Sequence, residues 1–292
     1  MILNYLKLLR VPQWIKNFFV FVPLLFSQHL FDEDYFATTL LAFVVFCLSS
    51  SLIYVINDLI DIEADKAHPT KKNRPLPSGV ISKRSALIVA AVLTAVIGIL
   101  LPQFNKEFFY FVTAFIILNI IYSFWFKHIV ILDVFSIAAG FSIRVLAGAV
   151  VISVPISSWL ILTTMFISLF LGVMKRHSEL ILVAESENAP SRKVLSQYSL
   201  NFADQMATVA AAGVIICYAL YTVSERTVSA FETENLIYTT PFVVYGIFRF
   251  MYLEYISNKG DNTTKIVFTD LQIILTVIIY TITTVLIIYK II

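Results

Sequence analysis

Residues 36–65 read FATTLLAFVVFCLSSSLIYVINDLIDIEAD. From Phe36 to Ile56 the run carries no charge and is long enough to cross a hydrocarbon layer as a helix of about 20 residues. It then passes directly into Asn57-Asp58-Leu59-Ile60-Asp61-Ile62-Glu63-Ala64-Asp65, so acids crowd the edge of a membrane span. The same alternation of apolar stretch and charged edge runs through the rest of the chain. Stretches at about 14–31, 36–56, 83–101, 107–125, 130–152, 157–174, 204–223, 236–253 and 266–289 each fit a span. Only Lys127-His128 separates the fourth from the fifth, and Arg249 interrupts the eighth, so eight or nine are expected. The expectation is an all-α, polytopic membrane helical bundle of about nine transmembrane helices, forming one domain over 1–292.

Composition agrees. Of 292 residues, 59% are hydrophobic and 14% charged, against about 25% charged in soluble domains. Mean hydropathy is +0.86. An ordinary soluble domain and a disordered chain are both excluded. The net charge of +2 offers no broad basic face, so nucleic acid is not an expected partner. Charge placement is more telling than the sum. With the N-terminus in the cytoplasm, 17 of the 21 basic residues fall on the inner side, Lys106, Arg226 and Lys290 lie outside, and Arg144 lies within a span. That bias satisfies the positive-inside rule and places the C-terminus outside. Lys7, Arg10 and Lys16 precede an apolar stretch without a small-residue cleavage site, so the first span is expected to stay in the mature protein. Cys47 and Cys217 lie in apolar runs and read as hydrophobes, not as a disulfide or metal pair.

The chemistry concentrates after the second span. In a helix Asp58, Asp61 and Asp65 would share one stripe. Stacked carboxylates repel unless a cation lies between them. Hard oxygen ligands suit Mg²⁺, which takes one or two carboxylates and completes its shell with water and phosphate oxygens. Basic residues lie on the same side: Lys71, Lys72 and Arg74 at once, then Lys127, Lys175 and Arg176 on other inner loops. Carboxylates for a metal with cations for anionic oxygens make a phosphate or diphosphate site. The alternative is a solvated acidic helix end. Arg74-Pro75-Leu76-Pro77-Ser78-Gly79 is either a stiff loop that lets Arg74 clamp a phosphate or a plain surface turn. His68, with no second histidine nearby, is expected to structure the loop before Pro69.

Further charges lie at or within later spans. Asp133 and Arg144, 11 residues apart in the fifth span, are separated by about 16 Å along a helix. They cannot pair directly, so each needs a partner on another helix or a ligand. Lys175, Arg176 and Glu179 close the sixth span, where phosphate binding and interfacial anchoring are both open. Lys16-Asn17 carries the same two readings, and Trp14 reads as an interface anchor.

These residues resemble the UbiA-type membrane prenyltransferases. Asn57-Asp58-x-x-Asp61-x-x-x-Asp65 looks like that family's first aspartate-rich motif, which holds Mg²⁺ against a diphosphate. The stretch to Gly79 is most similar to the decaprenyl-phosphate phosphoribosyltransferase branch, with His68-Pro69-x-Lys71 and Arg74-Pro75 inside it. So are Leu9-Arg10-x-x-Gln13-Trp14-x-Lys16-Asn17, Tyr122-Ser123 with Lys127 and Asp133, Gly140-Phe141-x-x-Arg144-x-x-Ala147-Gly148, and Lys175-Arg176-x-x-Glu179-Leu180. The likeness covers roughly residues 6–180. The second motif of aromatic prenyltransferases normally carries a further acidic pair, whereas here Asp133 stands alone with Lys127 before it.

The resemblance implies Mg²⁺-dependent transfer of 5-phosphoribose from phosphoribosyl pyrophosphate to a polyprenyl phosphate among membrane lipids. It implies a site on the cytoplasmic side of a bacterial-type inner membrane and a role in cell-wall or polysaccharide precursor synthesis. Asn57, Asp58, Asp61 and Asp65 are then the candidate metal ligands, and Asp58, Asp61, Lys127 and Asp133 the candidate catalytic residues. Lys16, Arg74, Tyr122, Lys127, Arg144, Lys175, Arg176 and Glu179 are candidates for substrate binding. Asp133 and Glu179 would bind ribose hydroxyls, orient cations or hold a second Mg²⁺. One rival is an aromatic prenyltransferase using a polyprenyl diphosphate. Another is a transporter or flippase, against which stands the location of most charges at one boundary instead of the midplane.

Overall fold

The computed structural model describes residues 2–66, 71–185, 193–256 and 269–291. They form α1 (Ile2–Leu8), a 3-10 helix (Val11–Phe21), α2 (Val22–Leu25), α3 (Glu33–Ile60), α4 (Ile62–Lys66), α5 (Lys83–Leu100) and α6 (Lys106–Phe124). There follow α7 (Leu132–Val151), α8 (Ser158–Glu185), α9 (Leu200–Val223), α10 (Glu225–Phe231), α11 (Thr240–Tyr255) and α12 (Leu271–Ile288). Among the described residues eight helical segments are long and apolar enough to cross a membrane, and the chain is an integral membrane protein. Four of the membrane-length helices begin on side-chain caps, as does the short α10 on Ser224. Ser82, Asn105, Ser199 and Asp270 accept from the backbone N–H groups of Ser85, Phe108, Phe202 and Ile273.

The first expected span, 14–31, is not an α-helix. Val11–Phe21 winds as a 3-10 helix and α2 continues it to Leu25. Pro12 and Pro23 each remove a backbone donor, which weakens the α ladder here. A 3-10 helix rises about 2.0 Å per residue, so eleven residues cover ~22 Å and α2 adds ~6 Å, close to the ~30 Å of a hydrocarbon core. Fifteen residues therefore reach as far as about 19 would in an α-helix. Burial follows the three-residue period of this winding: Pro12, Ile15 and Phe18 are exposed, whereas Trp14 is half-buried and Asn17 and Val20 are buried.

The chain forms two compact units, Met1–Phe126 with Ile143–Pro155 and Lys127–Ser142 with Ile156–Ile292, so that α7 contributes to both. In the first unit α3 packs against the 3-10 helix, α5 and α6. Its core joins Val20, Leu24, Ala42, Phe46, Phe108 and Phe115, with Phe46 edge-on to Phe108 and Phe115 at 6.0 and 5.2 Å. Lipid is as apolar as leucine, so helix association here rests on close packing. Gly148 of α7 shows it, because a Cβ there would fall on the Val20 carbonyl.

In the second unit α8 and α9 pack along their lengths. Ala203, Ala207, Ala210 and Ala211 are buried on α9, and Gly213 lies against the Phe166 ring. Small residues let the two backbones approach. Arg249, which interrupts the eighth stretch, is held by Asp270 through bonds of 3.2 and 2.8 Å. Lys290 pairs with Glu232. Leu87, Ile88, Ile99 and Tyr110 are among many exposed apolar side chains, as lipid contact requires.

Candidate active site

In the first unit α3 ends at Ile60, Asp61 takes φ −89° and ψ 10°, and α4 starts at Ile62. The expected single stripe of three aspartates is broken at this junction. Asp58 and Asp65 are buried on either side of it, whereas Asp61 is half-buried at the bend. One guanidinium draws the two together: Arg74 Nη1 lies 2.7 Å from Asp65 Oδ2 and 3.4 Å from Asp58 Oδ1. Arg10 Nη2 approaches Asp58 Oδ1 at 2.5 Å, and Lys71 Nζ stands 3.8 Å from Asp65. Two buried carboxylates are thus shared among three cations, which offsets their mutual repulsion and the cost of burial.

Local backbone explains both arginines. Arg10 adopts the left-handed conformation (φ 52°, ψ 45°) between α1 and the 3-10 helix, which turns its side chain toward α3. Its guanidinium also lies over the Tyr54 ring, 4.5 Å from the centroid. The connector after Arg74 is no plain surface turn, because Pro75, Leu76 and Pro77 are buried. Ile81 N–H closes on Pro75 O at 2.9 Å, and Gly79 supplies the positive φ, 76°, that the reversal needs.

Deeper in this unit Arg144 is buried and donates from Nε to Asn17 Oδ1 at 2.7 Å, with the Phe115 ring 4.4 Å from its guanidinium. Asn17 also accepts from Ser50 at 3.2 Å and donates to Cys47 Sγ at 3.3 Å. Trp14, expected only to anchor at the interface, donates to Ser51 Oγ at 2.9 Å and so pins the 3-10 helix to α3. Lys16, Asn57 and Tyr122 are half-buried. The backbone carbonyl of Asn57 accepts from Asp61 N–H at 2.9 Å.

In the second unit Asp133 is fully buried. Its Oδ2 lies 2.8 Å from Arg176 Nε, and its Oδ1 accepts from Tyr198 Oη at 2.7 Å. Arg176 also pairs with Glu179, one turn along α8. Burial, with the bond to Asp133, pushes the Tyr198 phenol well above its ordinary range, so it stays a donor. Lys127 is half-buried and Lys175 exposed. Beyond these, His177 Nε2 stands 3.2 Å from Asp204, which accepts from Tyr255 at 3.0 Å, and Ser178 donates to Glu254.

Asp133 and Arg144 each find a partner on another element, as their separation requires. Arg10 and Tyr198 are site-forming residues outside the expected set, and Asn17 is expected only together with Lys16, as a phosphate contact or an interfacial anchor. Arg10 falls inside the Leu9–Asn17 motif, whereas Tyr198 carries no charge to draw attention. His68 and Pro69 lie outside the described residues.

The donor set suits Mg²⁺. Asp58 and Asp65 supply two hard-oxygen carboxylates, no third His, Cys, Asp or Glu joins them among the described residues, and the remaining positions suit water and substrate phosphate oxygens.

A helical membrane protein with paired carboxylates and arginines at the end of a span matches a known class. The UbiA prenyltransferase family profile matches residues 18–266, and the chain belongs to that family of membrane transferases. It is 37% identical over 223 residues to the decaprenyl-phosphate phosphoribosyltransferase of Mycolicibacterium smegmatis, covering 75% of this chain and 70% of that protein. Against the enzyme of the same name from Mycobacterium tuberculosis H37Rv it is 34% identical over 227 residues, covering 76% and 74%. A UbiA homolog from Archaeoglobus fulgidus, solved bound to GPP and Mg²⁺, shares the fold with a TM-score of 0.69 at 17% identity over 98% of each chain.

Proposed function

We infer that this protein transfers 5-phosphoribose from phosphoribosyl pyrophosphate to a polyprenyl phosphate, releasing pyrophosphate, at the cytoplasmic face of the membrane. The observation that carries the reading is the meeting of Asp58 and Asp65 on Arg74, with Arg10 beside them. Such a cluster binds phosphates more readily than it binds a neutral ring. Support for the particular donor and acceptor comes from the names of the two mycobacterial relatives. The bias of basic residues toward one side supports the cytoplasmic location. A lipid-carried sugar phosphate is a product suited to polysaccharide precursor synthesis.

In the reaction an oxygen of the lipid phosphate forms a bond to ribose C1 as the bond from C1 to the pyrophosphate oxygen breaks. Its electron pair leaves with pyrophosphate. The nucleophile is already anionic, so the site needs no strong base, and the demand falls on the leaving group and the cation-like sugar carbon. Asp58 and Asp65 would hold Mg²⁺, which would supply charge neutralisation for departing pyrophosphate; Asp61, half-buried at the bend, adds no third carboxylate to them, and Asn57 stands beside Asp58 in the chain. Arg74 fixes the two carboxylates and keeps donors for phosphate oxygens. Lys16, Tyr122 and Arg144 are the other candidates for substrate contact in the first unit; within the second unit the candidates are Lys127, Lys175 and Arg176, taken by themselves. Asp133 acts by orienting Arg176, with which Glu179 also pairs.

The test is transfer of radiolabelled phosphoribose into lipid by purified protein, with and without Mg²⁺, beside Asp58→Asn. Mg²⁺-dependent labelling that the variant loses is expected. Absence of transfer from folded protein, together with prenylation of an aromatic acceptor from polyprenyl diphosphate, would overturn the reading.

A further inference from the structure

The two carboxylates on Arg74 differ in their surroundings. Asp65, with Lys71 beside it, meets Arg74 without lining the cavity of about 280 Å³ that Arg74 also borders, whose walls are Lys7, Arg10, Asp58, Asn73, Arg74 and Pro75. Three cations stand there against one carboxylate, and Asp58 is already engaged by Arg10 and Arg74, so the lining favours an anion. The walls are fixed in place. Arg10 is held by Asp58, by the Tyr54 ring and by its left-handed backbone, and Arg74 by two carboxylates and a buried connector. Forks held this way keep free N–H groups aimed at a tetrahedral oxyanion at little entropic cost. Lys7 and Asn73 are exposed at the opening, where a polar ligand would arrive from water.

The donor in the proposed reaction carries two kinds of phosphate. The diphosphate takes a metal and needs carboxylates near it; the 5-phosphate is a monoester that needs only cations and amide donors. We propose that the cavity bounded by Lys7, Arg10, Asn73 and Arg74 is the subsite for the 5-phosphate of the donor, with Lys7 and Asn73 as ligand-binding residues. The proposal rests on the phosphoribosyl reading, and it gives the 5-phosphate to Lys7, Arg10, Asn73 and Arg74 while keeping Asp58, which also lines the cavity, for the metal and the diphosphate. A lipid phosphate shares the same chemistry, so the experiment must separate the two sources.

The full-length protein in lipid nanodiscs is assayed as wild type, Lys7→Gln and Asn73→Ala, with Lys66→Gln as a charge control paired only with Glu63 among the described ion pairs. Lys7→Gln is expected to raise the donor KM roughly tenfold and to weaken inhibition by ribose 5-phosphate in parallel. Asn73→Ala should move both in the same direction by less, while inhibition by pyrophosphate and the KM for polyprenyl phosphate stay put. A rise in the lipid KM instead would assign the cavity to the acceptor, and weakened pyrophosphate inhibition would assign it to the diphosphate; either overturns the proposal. So would constants that do not move in either variant. If wild type shows no turnover of the phosphoribosyl donor, that reading fails by itself, because equilibrium binding of ribose 5-phosphate without acceptor still reports on the cavity. Loss of that binding in Lys7→Gln would keep a monoester site, and no binding to wild type would remove it.

Discussion

Arg176 Nε lies 2.8 Å from Asp133 Oδ2, and both side chains are withdrawn from solvent, at 1% and 0% exposure. A buried pair of this kind is costly to break from one side, since the remaining charge has no water to turn to. Asp133→Ala should destabilise the protein by about 3–5 kcal/mol. The paired change Asp133→Leu with Arg176→Met should recover much of that loss while activity stays low. Unfolding in mixed micelles checks both, and a single variant as stable as wild type would refute the buried pair.

Tyr198→Phe removes the donor to Asp133 and the acceptor for Ile131 N–H, at 2.7 and 2.8 Å, at a cost of about 1–3 kcal/mol. Burial first, and then Asp133, raise the folded phenol above its unfolded value. The stabilisation is therefore complete below an unfolded pKa of about 10 and lost only as pH rises through the higher folded value. The gap between wild type and variant should stay flat from about pH 6 to 9. Above about pH 10 the gap should narrow, and a gap that stays flat there as well would show a phenol with the same pKa folded and unfolded.

Arg74 and a metal both seek Asp58 and Asp65. Arg74→Ala should lower the Mg²⁺ concentration for half-maximal activity, because the carboxylates lose a competitor, yet raise the donor KM by about tenfold or more as a phosphate contact disappears. Movement of both constants in one direction would contradict this division of roles. Arg74→Lys keeps one nitrogen for the two carboxylates but loses the remaining planar donors, so it should restore the Mg²⁺ dependence more fully than the donor KM.

Gly148 and Gly98 both lie in helices, and the structure predicts opposite outcomes for alanine. At Gly148 the new Cβ meets the Val20 carbonyl, so the 3-10 helix must move, at about 1–3 kcal/mol. At Gly98 nothing lies within 4 Å, and alanine should be neutral or stabilising by up to about 1 kcal/mol. Melting temperatures of the two variants in one detergent decide it.

The hydrogen bonds from Arg249 hold the Asp270 carboxyl below the usual carboxylate range. Such a group stabilises above its unfolded pKa of about 3.9, and the contribution is lost as pH falls through the lower folded value. Arg249→Gln should thus cost stability at pH 7 and at pH 5, with the difference fading below about pH 4. A difference that grows in acid would have the wrong sign.

The spans were legible because length and apolarity suffice to mark a helix that must satisfy its own backbone in lipid. The acidic edge was legible as charge, for the same reason that charge is rare there. The meeting of Asp58 and Asp65 on Arg74 was not, because it needs a connector folded back on buried Pro75 and Leu76, which spacing along the chain does not show. Separation along one helix forbade a bond between Asp133 and Arg144 without naming what replaces it. Asn17 is 127 residues from Arg144, and Tyr198 is 65 from Asp133, distances at which spacing carries no information. The first apolar segment was expected at 14–31, but its 3-10 winding was not, because the expectation assumes 3.6 residues per turn.

That segment has its own arithmetic. Trp14, Asn17 and Val20 lie three apart and face inward together, while Pro12, Ile15 and Phe18 face outward together. Tolerance to substitution along this stretch should therefore beat in threes, out of step with the α-helical spans. Inserting one residue ahead of Trp14 would turn the whole row through a third of a revolution and carry Asn17 away from Arg144; inserting three would bring it back into line, one turn further along.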